Sequence, residues 1–276
     1  YELIDCGNSQ KLERFGEIVL IRPEITAIGK PELAESEWHK LANAEFVESS
    51  KNSGTWKIYR EMPDKWQMKF ESGKINLYAE LALTNSKHIG IFPEQVLNWK
   101  FIESVSSDYS QMQFLNLFGY TGLTSVAAAA FSQRVTHIDS IKKVVEWTKR
   151  NAANSGFENV RCITEDAQKF VEREIKRGNK YDGVILDPPV IGVGANSEKW
   201  ILNEMIDNLL SNISQILLQK SFVIMNLYAH NLTEELIKSL ITKHFPHHKL
   251  QFCAKVFGES RYGNRIDHGF FVRLLK

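Results

Sequence analysis

The chain has 276 residues and a formal net charge of +1, with 43% hydrophobic and 24% charged residues. This length allows one large domain, or a catalytic domain of about 150 to 200 residues with a smaller appendage. The composition excludes a disordered chain, and no apolar run approaches the roughly 18 residues of a membrane span. The near-zero charge argues against a protein that coats polyanions, but it permits local basic patches.

The three cysteines, Cys6, Cys162 and Cys253, are far apart in the sequence. None belongs to a CxxC pair or lies near a histidine cluster with metal-ligand spacing, so the sequence predicts no metal site. We expect free thiols in a cytoplasmic protein. Because the first residue is Tyr1 and not Met, we expect the numbered chain to begin inside the natural one, where a short targeting segment would be invisible. The residues present show no secretory pattern.

Residues 1–85 are predicted to form a small β-rich N-terminal domain. Alternating patterns rich in aromatic and β-branched residues predict strands in four segments: LERFGEIVLIRP, GTWKIYR, WQMKFES and KINLYAELAL. The triplets Asn52-Ser53-Gly54 and Glu71-Ser72-Gly73 are predicted turns. The segment SEWHKLANAEFV has helical spacing, with Ser36 as a candidate N-cap.

Basic residues are scattered through this appendage and alternate with Trp38, Trp56, Tyr59 and Trp66. Such a scatter is most often a solvated face. It would instead favour RNA docking if the charges converged on one side of the appendage.

Residues 86–110 are predicted to connect the appendage to a Rossmann-like domain at 111–276. In that domain apolar runs alternate with helical patterns, which is the signature of parallel βαβ units. The predicted strands are 113–118, 134–139, 160–164, 182–186, 221–227, 249–256 and 269–275. The predicted helices are 123–131, 141–155, 167–177, 199–218 and 233–244. Because the last two strands follow one another without a helix, we predict an α/β fold with a mostly parallel seven-stranded sheet and an antiparallel last strand.

The most informative motif is Asp187-Pro188-Pro189-Val190, at the end of the strand 182–186. Prolines lack a backbone N–H and have a fixed φ, so this pair ends the strand and holds a stiff loop at its carboxyl edge. In an open α/β sheet that edge is where ligands bind. The alternative is a simple strand terminator before a surface loop, since proline pairs commonly mark loops.

A second motif follows the first predicted strand of the domain. The turn Phe118-Gly119-Tyr120-Thr121-Gly122 joins that strand to an alanine-rich helix. Its glycines would let a ligand approach the backbone and the helix N-terminus, although a plain tight turn would have the same sequence.

Two acids stand at the ends of the next two strands. Asp139 lies where a carboxylate accepts the ribose hydroxyls of adenosine, in nicotinamide sites as well as S-adenosylmethionine sites. Asp166 lies where an acceptor can read an adenine amino group, and Ala167 leaves room for the ring. Either acid alone could be a helix cap.

Taken together, these four strand ends resemble those of the class I S-adenosylmethionine-dependent methyltransferases. More narrowly, NLFGYTG, VTHID and ILDPP resemble the large-subunit (23S) ribosomal RNA methyltransferase family over about residues 85 to 276. The resemblance implies S-adenosyl-L-methionine as cofactor, RNA as partner, and Asp187, Pro188 and Pro189 as the floor of the acceptor pocket. The cofactor-binding residues that it implies are Asn116, Phe118, Gly119, Tyr120, Thr121, Gly122, Asp139, Ser140, Asp166, Ala167 and Asp187.

The segment Gly90-Ile91-Phe92-Pro93-Glu94-Gln95 is similar to a further family motif, Gly-x-Phe/Tyr-x-Asp-Gln. The similarity implies that Glu94 and Gln95 help to hold the cofactor. The family's usual arginine after the glutamine is Val96 here, which puts a salt bridge from that position to the cofactor's methionine carboxylate in doubt.

The residues after the fourth and fifth strands narrow the choice of acceptor atom. Methylation of cytosine C5 requires a cysteine thiolate there, but these places hold Val190 and Met225-Asn226-Leu227-Tyr228, so covalent C5 chemistry is not expected. Enzymes that methylate exocyclic amines often place an aromatic residue after the prolines, and Val190 cannot stack on a base. Asp187 could accept a hydrogen bond from an amine or a guanine edge, so ring and exocyclic nitrogens both stay open.

Two further loops are candidates for substrate contact. The loop with Gly192, Gly194 and Asn196 comes after the prolines and is either a substrate gate or a plain solvent loop. The segment SRYGNRIDHG concentrates four side chains suited to phosphate or base contacts: Arg261, Tyr262, Arg265 and His268.

The predicted function is S-adenosylmethionine-dependent methylation of a base in ribosomal RNA without a cysteine nucleophile. A nicotinamide dehydrogenase would tolerate the glycine turn and Asp139, but the chain lacks GxGxxG and carries Asp-Pro-Pro. A methyltransferase of a protein or small molecule, and an inactive RNA-binding module, are the remaining alternatives.

Overall fold

The computed structural model describes residues 1–50, 53–194, 199–228 and 232–276. They form two compact units. The small unit consists of Tyr1–Lys69, Tyr78–Glu94 and Val256–His268, and the large unit of Phe70–Leu77, Gln95–Lys255 and Gly269–Lys276. Within the described ranges, no helix has the length and apolar character needed to cross a membrane.

The first third of the chain is mostly strands. Its elements are β1 (Glu2–Gly7), β2 (Gln10–Phe15), β3 (Ile18–Pro23), α1 (Glu35–Leu41), β4 (Ala44–Ser50), β5 (Ser53–Ile58), β6 (Lys65–Ser72) and β7 (Ile75–Ala82). β1 to β5 form one sheet in chain order, antiparallel except for the parallel pair β3 and β4, and β6 pairs with β7 in a separate hairpin. The parallel pair requires a crossover, which contains α1.

The rest of the chain alternates strands and helices after a 3-10 turn at Pro93–Gln95. Its elements are α2 (Val96–Ser106), β8 (Gln113–Leu117), α3 (Leu123–Ala129), β9 (Arg134–Asp139), α4 (Lys142–Asn154), β10 (Val160–Thr164), α5 (Ala167–Arg177), β11 (Tyr181–Leu186), β12 (Ile191–Val193), β13 (Lys199–Ile201), α6 (Leu202–Gln215), β14 (Leu217–Leu227), α7 (Glu234–His244), β15 (Lys249–Glu259) and β16 (Arg265–Leu275).

Seven of these strands form one sheet, in the order β10-β9-β8-β11-β14-β16-β15. β10, β9, β8, β11 and β14 run parallel, and β16 is antiparallel to β14. The predicted mostly parallel seven-stranded sheet with an antiparallel last strand is confirmed. The order of the strands reverses between β8 and β11, and such a switch point opens a crevice at the carboxyl ends of the strands.

The sheet is buried on both faces, as parallel sheets are. Neighbouring residues of β11 point to opposite sides: Val184 belongs to a core with residues of α5, α6 and α7, and Ile185 to a core with residues of α2 and α3. This double burial explains why the strands read as continuous apolar runs in the sequence.

Most elements of the large unit agree with their predicted bounds within a few residues, and β9, β10 and α5 match them fully. The predicted helix 199–218 is wrong at both ends. Its first three residues are β13, in which Trp200 pairs with Gly192 of β12, and its last two belong to β14. These pairings join segments distant in sequence, which override the local helical spacing.

In the small unit, the helix predicted across SEWHKLANAEFV is wrong after Leu41, because residues from Ala44 onwards pair with β3 and β5. Ser36 is not the N-cap. That position is Ala34, whose backbone N–H donates to the Glu37 carboxylate at 3.0 Å. β1 was not predicted, and Asn52 of the predicted turn lies outside the described residues.

The fully buried carboxylate of Asp5 organises the small unit. It accepts hydrogen bonds from the backbone N–H of Cys6 and of Leu33, both at 2.8 Å, and from the indole Nε1 of Trp38 at 3.0 Å. Trp38 packs from α1 against apolar residues of β1, β2 and β3. Asp5 therefore connects the first strand to the segment before α1 and to α1 itself.

We predict that Asp5→Ala lowers the free energy of unfolding of the small unit by about 3 kcal/mol. Removing the carboxylate leaves buried donors without an acceptor, and each costs about 1–3 kcal/mol. Urea unfolding followed by tryptophan fluorescence measures the change. The exposed Asp64 provides a matched control, since Asp64→Ala should change stability by less than about 0.5 kcal/mol. Equal effects of both substitutions would contradict the role of Asp5.

Candidate functional site

The predicted site residues of the large unit meet at one edge of its sheet. Leu117 at the end of β8 pairs with Ile138 of β9 and with Leu186 of β11, and Asp139 pairs with Thr164 at the end of β10. The residues that come after these four strands are therefore neighbours along the carboxyl edge. This edge contains the switch point between β8 and β11.

The turn after β8 has a strained backbone. Phe118 and Tyr120 have φ values of 57° and 51°, in the left-handed region that residues with a side chain rarely adopt. Gly122, with φ of 76°, is the N-cap of α3. Each such non-glycine residue costs about 1–3 kcal/mol, and conformations of this kind cluster at ligand sites.

The buried His137 side chain supports this turn from below. Its Nδ1 lies 3.0 Å from the Ser125 hydroxyl on α3, and its Nε2 lies 3.1 Å from the Thr148 hydroxyl on α4. Burial lowers the pKa of His137 to about 3, so the ring is neutral at ordinary pH. A Cβ on Gly119 would lie 2.3 Å from the imidazole, so the close packing of the turn on His137 requires glycine there.

Asp139 holds the other side of the turn. Its Oδ2 accepts from the Tyr120 backbone N–H and its Oδ1 from the Ile141 N–H, both at 2.9 Å. Burial raises the pKa of Asp139, against the opposing effect of these and the Ser140 backbone N–H groups. Since a carboxylate offers about four acceptor sites, these contacts still allow it to accept further hydrogen bonds from a ligand.

Asp166 is the N-cap of α5 and accepts from the Lys169 backbone N–H at 2.9 Å. The following Ala167 is buried in the apolar core. Asn116 is also buried, and its amide donates to the Ser125 hydroxyl at 2.9 Å. Ser140 follows Asp139 and is half-buried. Asp166 and Ser140 thus lie at the edge of the sheet, whereas the Asn116 side chain lies inside the unit.

The Asp187 carboxylate follows β11. Its Oδ2 accepts from the Gln95 side-chain amide at 2.6 Å, and the Tyr228 hydroxyl at the end of β14 lies 3.5 Å away. Pro188 is buried and Pro189 exposed. The Pro189 carbonyl accepts from the Trp200 indole Nε1 at 2.7 Å, which fixes the loop after the prolines.

Trp200 also connects the two sides of the switch point. Its ring packs against Phe118 of the glycine turn with a centroid distance of 4.9 Å. No sequence pattern indicated this role, because Trp200 stands in the segment predicted as helix. His137 and Thr148 were missed as well, and the only sequence signal for His137 is a polar residue inside an apolar strand.

The three cysteines are free and lie away from the strand ends that would carry a C5 nucleophile. Burial raises the pKa of both Cys6 and Cys162 to about 11, and it also raises the pKa of Cys253. These thiols are therefore protonated at neutral pH, and a thiol must ionise to act as a nucleophile.

The remaining predicted contacts fall in the small unit or in the loop after the prolines. Gly192 of that loop lies in β12 and pairs with Trp200. Glu94 lies 3.8 Å from the His268 imidazole. Arg261 and Arg265 form ion pairs with Glu2 and with Glu259, so their charges are partly neutralised. Tyr262 is 42% exposed. Asn196 of the predicted gating loop is not among the described residues.

The small unit buries two of the aromatic and basic side chains that are scattered through the appendage. Trp38 is buried, and so is Arg22, whose guanidinium forms an ion pair with the buried Glu13 at 2.6 Å. Trp56 and Tyr59 are half-buried, and Lys57 lies over the Tyr59 ring. Trp38 and Arg22 therefore belong neither to a solvated face nor to an RNA-docking face.

Comparison with known proteins places this site in a family. Residues 94–245, more than half of the chain, match the family described as Conserved hypothetical protein 95. Two similar proteins are described as Ribosomal RNA large subunit methyltransferase K/L. The one from Buchnera aphidicola is 30% identical over 146 residues, which cover 51% of this chain and 20% of that protein. The one from Methylococcus capsulatus is 33% identical over 104 residues, 36% of this chain and 14% of that protein. The chain thus spans a fifth or less of these curated relatives.

Solved structures match over much more of the chain. The S-adenosylmethionine-dependent methyltransferase from Agrobacterium tumefaciens is 29% identical, with a TM-score of 0.90 over 99% of this chain and 89% of that chain. A second protein, described as a methyltransferase complexed with SAH, is 20% identical, with a TM-score of 0.74 over 97% of this chain and 72% of its own. The predicted fold and family resemblance are confirmed: the chain belongs to the Conserved hypothetical protein 95 family, and its seven-stranded sheet has the Rossmann-like methyltransferase fold.

Proposed function

We propose that this chain transfers a methyl group from S-adenosylmethionine to a base nitrogen in RNA, with ribosomal RNA as the substrate. The observation that carries the proposal is the arrangement around β8. The strained turn Phe118–Gly122 follows β8 itself, Asp139 lies at the end of the neighbouring β9, and Asp187 follows β11 on the other side. One ligand in the crevice would reach all three.

The residues on the β9 side fit the adenosine part of the cofactor. Asp139 would accept the ribose hydroxyls, and the backbone of residues 118–122 would lie against the cofactor at the N-terminus of α3. Asp166 and Ala167 would border the adenine, with Ser140 beside the ribose. Asn116 would support the turn through Ser125. The family motif also predicts Glu94 as a cofactor contact, whereas Gln95 donates to Asp187 on the acceptor side.

The residues on the β11 side would hold the acceptor base. S-adenosylmethionine supplies a methyl group on a sulfonium, and its transfer to nitrogen requires chiefly that the two atoms be held in line at close distance. Asp187 would accept a hydrogen bond from the base, while Pro188 and Pro189 keep the loop rigid. The protonated thiols agree with a reaction that forms no bond to cysteine.

The names of the curated relatives support RNA as the substrate. The match covers a fifth or less of each of those relatives. In this proposal residues 111–276 perform the transfer, 86–110 connect, and 1–85 assist RNA docking. Lys57 with the adjacent Tyr59, rather than Trp38 or Arg22, would be available for such contacts. The reaction would take place in the cytoplasm.

We predict that Asp139→Asn weakens binding of S-adenosylhomocysteine by about 10- to 100-fold. Hydrogen bonds to a charged group contribute about 1.5–3 kcal/mol, and about 1.4 kcal/mol corresponds to a factor of ten. Isothermal titration calorimetry measures the change. The matched control is Asp182→Asn. Asp182 also accepts a hydrogen bond from a backbone N–H, that of Gln113, but it lies at the start of β11, far from the carboxyl edge of the sheet. An Asp139→Asn protein that binds as tightly as the control would refute the ribose role.

The same carboxylate predicts a pH dependence. Its raised pKa means that Asp139 loses its charge at a higher pH than an ordinary aspartate as the solution is acidified. The affinity of the wild-type protein for S-adenosylhomocysteine should therefore fall as the pH drops through this raised value and recover above it. The Asp139→Asn protein should not show this fall in affinity. Identical pH profiles of the two proteins would contradict the role of Asp139 in the pH dependence.

We predict that the protein incorporates labelled methyl groups from S-adenosylmethionine into unmodified, in vitro-transcribed large-subunit ribosomal RNA. Asp187→Ala should reduce this incorporation by about 100-fold, the loss expected when a reacting group is misplaced. The parallel sample is a ribonuclease-treated protein extract. Incorporation of label only into protein would contradict RNA as the methyl acceptor but would still agree with S-adenosylmethionine as the cofactor.

A further inference from the structure

Three buried side-chain amides lie in a row behind Asp187. Gln95 donates from Nε2 to the Asp187 Oδ2 at 2.6 Å. Asn98, on the first turn of α2, donates from Nδ2 to the Gln95 Oε1 at 3.0 Å and to the Asn226 Oδ1 at 3.0 Å. Asn226 stands near the end of β14. The row thus connects α2, β14 and the loop after β11.

The hydrogen bonds of this row have one direction. An ionised carboxylate only accepts, so the Gln95 amide must present its nitrogen to Asp187 and its oxygen to Asn98. Asn98 uses both N–H groups of its amide, one for each neighbour. Asn98 is therefore the pivot that fixes the orientation of Gln95 and, through it, of the Asp187 carboxylate.

Burying these three amides lowers the stability of the interior. Asn98 and Asn226 are completely buried and Gln95 is 7% exposed. Among the described residues, the Asn98 Oδ1 and the Asn226 Nδ2 have no hydrogen-bond partner. A buried polar atom without a partner costs about 1–3 kcal/mol, so apolar side chains of similar volume would be more stable. Stability alone does not explain these residues.

We infer that Asn98 and Asn226 are positioning residues for methyl transfer: with Gln95 they hold the Asp187 carboxylate in the orientation that accepts a hydrogen bond from the acceptor base. This inference rests on the proposed function of Asp187. It assigns Gln95 a contact on the acceptor side of the site, and it extends the site to Asn98 and Asn226, which are fully buried and would act through Gln95. The row would act on the rate of transfer and not on cofactor affinity.

The first test compares Asn98→Ala with wild type in steady-state transfer to in vitro-transcribed large-subunit ribosomal RNA. We expect kcat to fall by about 10- to 100-fold, because a small misplacement of a reacting group has effects of this size. The KM for S-adenosylmethionine and the Kd for S-adenosylhomocysteine should stay within about threefold of the wild-type values, because the row lies on the acceptor side. A threefold change corresponds to less than about 1 kcal/mol of binding free energy. Asn226→Ala should lower kcat in the same manner but less.

The matched control is Asn159→Ala. The Asn159 amide also donates to two acceptors, the Ala129 and Ser132 carbonyls, but it lies directly before β10, at the edge of the sheet opposite Asp187. It should lose stability without loss of kcat. The inference is overturned if Asn98→Ala keeps kcat within about threefold of wild type, or if kcat and S-adenosylhomocysteine affinity fall together.

A spectroscopic measurement separates failure of this inference from failure of the proposed substrate. The side-chain amide signal of Gln95 in a proton–nitrogen NMR spectrum, assigned with Gln95→Leu, reports its hydrogen bond to Asp187 without any substrate. Asn98→Ala and Asn226→Ala should both shift this signal and speed its exchange with water, and Asn159→Ala should not. An unchanged Gln95 signal in both variants overturns the row even if RNA is methylated. A shifted signal supports the row even if RNA is not the acceptor.

Discussion

The strained turn between β8 and α3 is the constraint on which the site depends. Phe118 and Tyr120 hold left-handed conformations that are unfavourable by themselves, and three neighbours compensate. Asp139 accepts from the Tyr120 N–H, the Thr148 hydroxyl donates to the Tyr120 carbonyl, and the neutral His137 packs under Gly119. The turn is therefore held from β9 and α4 before any ligand arrives, which is the preorganisation that a cofactor site requires.

The turn also divides the edge of the sheet into two chemically different sides. On the β9 side a half-buried carboxylate with backbone donors suits the hydroxyls of an adenosine. On the β11 side two prolines, the Trp200 indole and the Gln95 amide fix a second carboxylate next to Phe118. In the proposed reaction one side would hold the cofactor and the other would orient the acceptor. The thiols, which would be needed for chemistry through cysteine, are protonated and lie elsewhere.

The fold was largely predictable because its signals are local. α5 begins after its N-cap Asp166 and ends at Gly178, which has a left-handed conformation. Aspartate and glycine are typical of these two positions, so the sequence predicts both ends of the helix. β12 and β13 were missed because their pairing joins residues across an intervening loop, and a short segment such as Lys199–Ile201 has no periodicity of its own. Ser36 was a reasonable cap by type, but the reciprocal bond between Ala34 and Glu37 places the helix start elsewhere.

The site was predictable only in its outline. Strand-end acids and the glycine turn are readable because chain order alone puts the ends of parallel strands on one edge. The contacts that fix these residues join distant positions: Gln95 to Asp187, Asn98 to Asn226, Phe118 to Trp200. No spacing in the sequence reveals such pairs, and a buried histidine or asparagine inside an apolar segment is only a weak hint.

Whether the carboxyl edge of this sheet binds an S-adenosylmethionine-type cofactor is decided by calorimetric titration of the wild-type protein with S-adenosylhomocysteine and, separately, with NAD. Both ligands contain an adenosine whose ribose hydroxyls could donate to Asp139. The comparison therefore tests the whole site and not this one contact. We expect saturable binding of S-adenosylhomocysteine at one site per chain and no binding of NAD. Binding of NAD without binding of S-adenosylhomocysteine would show that the edge is built for a different cofactor.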